Sequence, residues 1–427
     1  MISRMKKFFL FLLALLIVAC VAGCGNESAN QVHSYGKKQS VNVKLTFFGN
    51  KADESNVHTI EKIMAGYMQS HPGVVITYES IKGVPYYATL DRRMQHSSGD
   101  DIFMADHDAV LKLRSAGMLA DLSGLSTVKN YTEMTKTQFT EADGKIYWLP
   151  ATVSAFGLYC NLDVLKEHNQ KVPKNLREFR QVCDYFVSRG ITPVVANNDI
   201  SLKTIISGVS YYDIYQNGEM DKLVNNLNNG TVKLGTSMTD GVKLVNSFIR
   251  SGYISPAEAL KTRKTSDDLK IFAEGRQPFM LTGAWGAERL QTDFNVKFKY
   301  AVYPLPILEK DAIVIINPDV RLCVNARSKH LQEAKKFVEY FTQAQNIHDF
   351  CIEQCSANPQ NDKLMPVNGE LKPVAEAYAA GKNVLATYAK LKLPTWTLTR
   401  EATSGLLRGE SVERVIEDMN VAEQKYL

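Results

Sequence analysis

The groups in this chain that could do chemistry are three tryptophans, eight histidines, seven cysteines and forty-five Asp and Glu residues. None sits in a spacing that fixes a reaction. The sequence has no G-x-S-x-G elbow for a serine nucleophile, no H-E-x-x-H for zinc, no P-loop and no G-x-G-x-x-G. Carboxylate pairs abound, but glycoside cleavage needs two carboxyls about 5 to 9.5 Å apart, and separation along a chain says nothing of that distance. His348, Cys351 and Cys355 fall at i, i+3 and i+7, which would place them on one helix face. No second ligand pair completes a tetrahedral metal site, so buried structural thiols are the expectation. What remains is binding chemistry. Trp148, Trp285 and Trp396 offer flat apolar faces, and a sugar, with C–H faces and hydroxyls, wants such platforms beside Asp, Asn, Glu and Arg. The competing role of each tryptophan is packing in a core or hinge.

Elements that could position such residues follow from periodicity. Val41 to Leu45 alternates strictly and Thr46-Phe47-Phe48 closes an opening strand, which delivers Gly49-Asn50 to a loop. Val57, Ile60, Ile63, Met64, Tyr67 and Met68 mark one face of a helix stopped by His71-Pro72-Gly73, and Val74 to Tyr78 is the next strand. This is a βαβ unit. Asp101 to Asp106 is a further short strand, followed by a helix around Val110 to Ala116 with Gly117 as its stop. Asp106, His107 and Asp108 therefore stand beyond the carboxyl end of a strand, where open α/β sheets place ligand contacts, with helix capping as the competing role of the two acids. Later, Leu176 to Phe186 and Val242 to Ile249 read as helices, Ile191 to Ala196 as a strand, and a helix opens at Ser266 and stops at Gly275. Residues 197–235, with several Asn and Gly, give no clear period.

Asp143 to Leu165 organises the rest. Asp143-Gly144 is a turn signal, the run to Tyr159 is apolar, β-branched or aromatic and broken once by Pro150, and Asn161 and Asp163 offer helix-start chemistry. Two extended segments joined by a stiff link at Pro150 make a candidate hinge between lobes. The run DGK-x-Y-x-L-P then G-L-Y-x-N-x-D-x-L resembles the first interdomain crossing of bacterial extracellular solute-binding proteins of family 1, relatives of the maltose-binding protein, with Cys160 where that family often has an aromatic residue. Ala116 to Leu122 resembles the family's AGxLxDL, Pro278 to Trp285 its second crossing, Tyr300 to Pro306 its PLP strand end, and Val320 to Val324 with the helix after it the third crossing. The resemblance spans about residues 41 to 425.

The resemblance implies an α/β, two-lobed periplasmic-binding-protein-like fold of type II, with discontinuous lobes joined by three crossings and a ligand cleft between them. Residues 41–148 plus about 286–325 would form the N-terminal lobe, and 149–285 plus about 326–427 the C-terminal lobe. It further implies a receptor of an ABC importer that captures a carbohydrate and presents it to a separate permease and ATPase, works as a monomer, needs no cofactor and is no enzyme. Ligand contacts would come from Trp285, Trp396, Trp148, Asp106, Asp108, Asn50 and Tyr159. The alternatives are another polar solute (a polyol, a polyamine favoured by clustered acids, a sugar phosphate favoured by clustered Arg) or a surface-anchored carbohydrate-processing enzyme.

The N-terminus carries an address. Arg4, Lys6 and Lys7 precede an apolar run from Phe8 to Gly23, a signal-peptide pattern shorter than the roughly 20 residues of a spanning helix. Val21-Ala22-Gly23-Cys24 resembles a bacterial lipobox, so residues 1–23 would be removed and Cys24 acylated at the outward face of the cell membrane; Ile17 to Cys20 is a poorer match. Residues 24–40, rich in Asn, Ser, Gln and Lys, read as a flexible tether. Removing residues 1–23 lowers the formal charge from +5 to +2, and the short basic stretches at Arg92-Arg93 and Lys261 to Lys264 give no track for nucleic acid. Five cysteines remain beyond Cys24, an odd number and scattered, unlike a disulfide framework.

Overall fold

The computed structural model describes residues 31–35, 42–83, 85–96, 99–361, 365–366 and 369–427. The signal segment and Cys24 lie outside the described residues. Among the described residues ten strands form one sheet: β1 (Gln31–Tyr35), β2 (Val43–Gly49), β3 (Val74–Ser80), β4 (Ile102–Ala105), β5 (Leu149–Asn161), β6 (Val194–Val195), β7 (Phe279–Gly283), β8 (Tyr300–Tyr303), β9 (Val314–Val324) and β10 (Asn383–Leu385). Their order is β1-β3-β2-β4-β9-β5-β7-β6, with β10 on β9 and β8 on β5. Nine helices bear on the site or its support: α1 (Glu54–Ser70), α2 (Pro85–Gln95), α3 (His107–Ser115), α4 (Ile200–Gln216), α5 (Asp267–Ala273), α6 (Gly286–Thr292), α7 (Leu331–Phe341), α8 (Ala344–Glu353) and α9 (Thr395–Leu407).

The first unit forms as its periodicity predicts. β2 and β3 pair in parallel from Val43↔Val74 to Gly49↔Ser80, with α1 crossing between them. α1 buries Val57, Ile60, Ile63, Met64 and Tyr67, and the chain leaves it through Gly73 at φ +93°, a conformation that costs a glycine nothing. One expectation fails here. Gln31–Tyr35, placed in a tether, is a strand that adds antiparallel to the edge of β3, because its backbone finds the open hydrogen-bonding edge that β3 offers.

Two hydrophobic cores divide the fold into two lobes. The first takes Leu45 to Ala151 together with Val320 to Cys351, and the second takes Val153 to Ile316 together with Cys355 to Met419. The chain therefore changes core in β5, in β9 and just after α8. This differs from the expected crossings. Phe279 to Ala284 and the following Ala287, Leu290, Tyr300 and Val302 all pack in the second core, so the Pro278–Trp285 segment turns back within its lobe. Likewise Ala334, Phe337 and Phe341 of α7 and Phe350 of α8 pack in the first core, where their rings meet Phe47 and one another. From this packing we propose lobes of residues 42–151 plus 320–351, and 153–316 plus 355–427.

β5 and β9 are the joint. They run antiparallel from Leu149↔Leu322 to Phe156↔Ile315, with Ala151 and Val320 the one unpaired position of the ladder, where the cores change over. Val320 has φ +47°, a left-handed conformation that a β-branched residue rarely takes. Pro150 does not join two separate extended segments as expected; it lies inside β5 opposite Arg321, and its carbonyl accepts the Tyr131 hydroxyl at 3.0 Å.

Residues 197–235 are mostly helix. In α4, Ile200 to Gly208 are all buried, polar residues included, so no exposed face alternates with a core face and no period can show. Cys160, Cys183, Cys323, Cys351 and Cys355 are all buried and unpaired. α8 ends at Glu353, before Cys355, whose φ of +48° breaks the helix face imagined for His348, Cys351 and Cys355. Among the described residues no cluster of His, Cys, Asp and Glu could hold a metal, and no helix is long and apolar enough to cross a membrane.

Candidate functional site

A cavity of about 560 Å³ opens where the two lobes face each other. Its first wall comes from the loop after β2 (Asn50, Lys51), the start of α1, Tyr87 of α2, and the β4–α3 junction with Asp106, His107 and Asp108. The second wall comes from Asp199 and Lys203 at the start of α4, Thr265 before α5, Trp285 after β7, and Trp396 in the first turn of α9. Phe156 of β5 with Asn317 and Asp319 of β9 form the floor, so the joint between lobes is itself part of the site.

The aromatic surface gathers around Phe156. Trp285 meets that ring edge-on, with centroids 5.4 Å apart and planes at 83°, and Trp396 lies 6.2 Å away at 56°. Trp285 is half-buried and donates its indole N–H to the Thr265 hydroxyl at 3.2 Å. Its six-membered ring lies on the backbone of Gly283, where an added Cβ would come 2.0 Å from Cζ3. Only glycine lets the ring approach that closely. Trp396 carries the Lys203 ammonium 4.0 Å above its ring centre, a cation–π contact.

Charge in the cavity is balanced locally. Lys203 and Lys264 both pair with Asp199, and Arg289 of α6 reaches Asp293 at 2.8 Å and Asp53 of the facing lobe at 3.8 Å. Burial works against the Asp199 carboxylate, but the Lys264 and Lys203 charges outweigh it and hold it well below the usual range. Burial lowers the Lys203 ammonium to about 8, with Asp199 resisting loss of its proton. Burial, then the charge of Asp108, pushes Asp106 up to about 6, and burial also raises Asp108. Burial lowers the Lys51 ammonium, which Asp319 and Glu353 only partly offset. Three oxygens at the walls, Asn50 Oδ1, Ser55 Oγ and Asp108 Oδ1, are buried with no hydrogen-bond partner in the protein. Buried polar atoms of this kind cost about 1 to 3 kcal/mol each unless something pairs with them.

Five of the seven residues expected at a site thus face one cavity: Trp285, Trp396, Asp106, Asp108 and Asn50. The other two do not. Trp148 is 2 % exposed, packed edge-on against Phe139 and beneath the Arg321 guanidinium in the first core. Tyr159 is fully buried in the second core, and its hydroxyl donates to the carbonyls of Gly283 and Ala284 at 2.7 and 3.1 Å. Asp106 also caps α3, accepting the Ala109 N–H at 2.8 Å, so the two roles assigned to it coexist. Sequence reasoning missed Phe156, Lys203 and Asp199. Lys203, a cation amid the apolar run Ile200-Ser201-Leu202-Lys203-Thr204-Ile205-Ile206, was the available signal.

The sequence profile of bacterial extracellular solute-binding proteins matches residues 62–364. A maltooligosaccharide ABC transporter solute-binding lipoprotein of Streptococcus pneumoniae is 24 % identical over 392 residues, 89 % of this chain and 83 % of that protein. Among solved structures, a solute-binding protein in complex with raffinose has a TM-score of 0.69 at 19 % identity, covering 88 % of this chain and 98 % of the other. A chitin oligosaccharide binding protein has a TM-score of 0.71 at 18 % identity, covering 90 % and 98 %. Both structures share the fold with this chain.

Proposed function

This chain belongs to the bacterial extracellular solute-binding proteins, and from that premise we propose that its cleft captures a neutral oligosaccharide and delivers it to an ABC permease and its ATPase. The observation that carries this is the meeting of Trp285, Phe156 and Trp396 with unpartnered buried oxygens in one cavity spanning two lobes. Aromatic faces take the C–H surface of a pyranose, and the oxygens take its hydroxyl protons. Eight carboxylates and seven Lys and Arg side chains line the cavity, so their charges nearly cancel. A polyamine would want the acids in excess and a sugar phosphate the cations; an uncharged polyhydroxyl ligand fits the balance. The sugar-binding names borne by relatives support the same class. Capture and release require no bond to break, and a ligand that touches both lobes favours their closed arrangement by its differential affinity for it. The protein would act as a lipid-anchored monomer at the outward face of the membrane.

Titration calorimetry of the mature protein with maltotriose, raffinose and chitotriose tests the reading. At least one should bind, and Trp285→Ala should weaken it about tenfold or more, since a stacked ring contributes roughly 0.5 to 1.5 kcal/mol beyond its buried area. The unfolding midpoint should fall less than for a core tryptophan, whose truncation costs about 3 to 5 kcal/mol. Absence of heat with every sugar, or new saccharide products on chromatography, would overturn it.

A further inference from the structure

α9 begins on Pro394, a residue with no side chain able to accept its first N–H groups. The Thr395 N–H turns back to the Leu393 carbonyl at 2.8 Å, but the acceptor for Thr397 comes from the other lobe. Asp108, in the first turn of α3, takes the Thr397 N–H at 2.9 Å and the Thr397 hydroxyl at 2.6 Å, both on Oδ2. Thr397 directly follows Trp396, so this contact fixes the turn that carries one of the aromatic platforms. A second contact crosses beside it, from His107 Nε2 to the Leu393 carbonyl at 3.3 Å. Burial and the Arg321 charge hold His107 down at about 3, so the ring is neutral and Nε2–H donates. α3 packs with Val110 and Leu113 in the first core, whereas Leu393 and Leu398 pack in the second. Asp108 Oδ1 remains buried and unpartnered at the cavity wall.

We propose that Asp108 is a positioning residue that caps α9 across the lobe interface, so that lobe closure and the placement of Trp396 are one event. When the lobes part, Thr397 of α9 loses its acceptor and the Trp396 turn its anchor. When they meet, Oδ2 supplies the cap and Oδ1 is left for a hydroxyl of whatever the cavity holds. The ligand half of this rests on the oligosaccharide reading; the latch half rests on geometry alone.

The test pairs a ligand-free and a ligand-bound measurement. Spin labels on Lys129→Cys and Lys222→Cys, exposed positions in the two lobes, report the interlobe distance of the full mature chain. Without ligand, Asp108→Ala should shift the distance distribution outward, and Asp108→Asn, whose carbonyl can still accept the Thr397 N–H, should restore most of it. Thr397→Ala should add little on top of Asp108→Ala, because both remove one interaction. Affinity for maltotriose should drop about tenfold in Asp108→Ala, and the unfolding midpoint should fall only by the small amount that loss of one helix cap brings. An unaltered distance distribution in Asp108→Ala, or a lowered midpoint with normal distances, overturns the proposal. If the wild type binds no saccharide, the oligosaccharide reading falls, while the distances still decide the latch.

Discussion

Asp106 carries two duties at the end of β4, capping α3 and facing the cavity, and its charge is costly to keep there. Burial and the neighbouring Asp108 carboxylate raise it to about 6, against the moderating charges of Arg321 and Lys203. The sign of the resulting pH dependence follows. An ionised carboxylate accepts hydroxyl protons from both lone-pair sides, so a sugar stabilises the charged form and binding releases a proton below pH 6. Affinity should be steady near pH 7, below the titration of Lys203, and fall as pH drops through 6, approaching tenfold per unit; Asp106→Asn should bind more weakly and without this acid-side fall. Calorimetry across pH 4.5 to 8 checks both, and an undiminished wild-type affinity at pH 4.5 would remove Asp106 from the site. The residue was legible because a strand end and a helix start fix where it must stand. Tyr159 was misjudged for an equally simple reason. It lies three positions from Phe156 on one strand, and an odd separation puts the two side chains on opposite faces, so that Phe156, though buried, borders the cavity and Tyr159 does not.

At the scale of elements, strands with strict alternation and helices with a clear apolar face were readable, as β2, α1 and the helix opening at Ser266 show. α4 was not, because a helix buried all round has no period to read, and the crossings were displaced because nothing local distinguishes a strand that changes lobe from one that does not. The β5–β9 pair makes that distinction in three dimensions: its ladder is interrupted at Ala151 and Val320, and the unusual φ of Val320 sits there. Strain held at such a point is commonly part of a conformational switch. Pro150 stands one residue away and keeps its own φ near −65° in both lobe arrangements. Pro150→Gly should therefore leave each lobe folded while broadening the ligand-free ensemble, because the constraint nearest the interruption is gone. Small-angle scattering should show a larger or more heterogeneous particle without ligand. An unchanged profile together with unchanged affinity would place the flexing point elsewhere in the pair.

For the whole molecule the proposed import function raises the question of how a cleft between lobes would be kept where a permease could meet it. After removal of residues 1–23 the formal charge is only +2, too little to hold the protein electrostatically on an anionic surface, where each basic residue near the membrane contributes about 1 kcal/mol. No helix among the described residues can span a bilayer. The proposed anchor is Cys24, and stable attachment there would require more than one acyl chain, because a single chain gives only marginal, reversible binding. β1 bears on the geometry of this attachment. With Gln31–Tyr35 paired to the edge of β3, six residues of sequence separate Cys24 from the first lobe, a contour of at most about 20 Å. The first lobe would thus ride close to the membrane while the second moves on the β5–β9 joint. Cys24→Ser should release folded protein that still binds the cognate sugar, measured as transfer from the membrane fraction to the soluble fraction with calorimetric affinity intact. If the variant stays with the membrane, Cys20 is the next position to substitute, and retention after both substitutions would mean that the chain is held by a contact other than lipid.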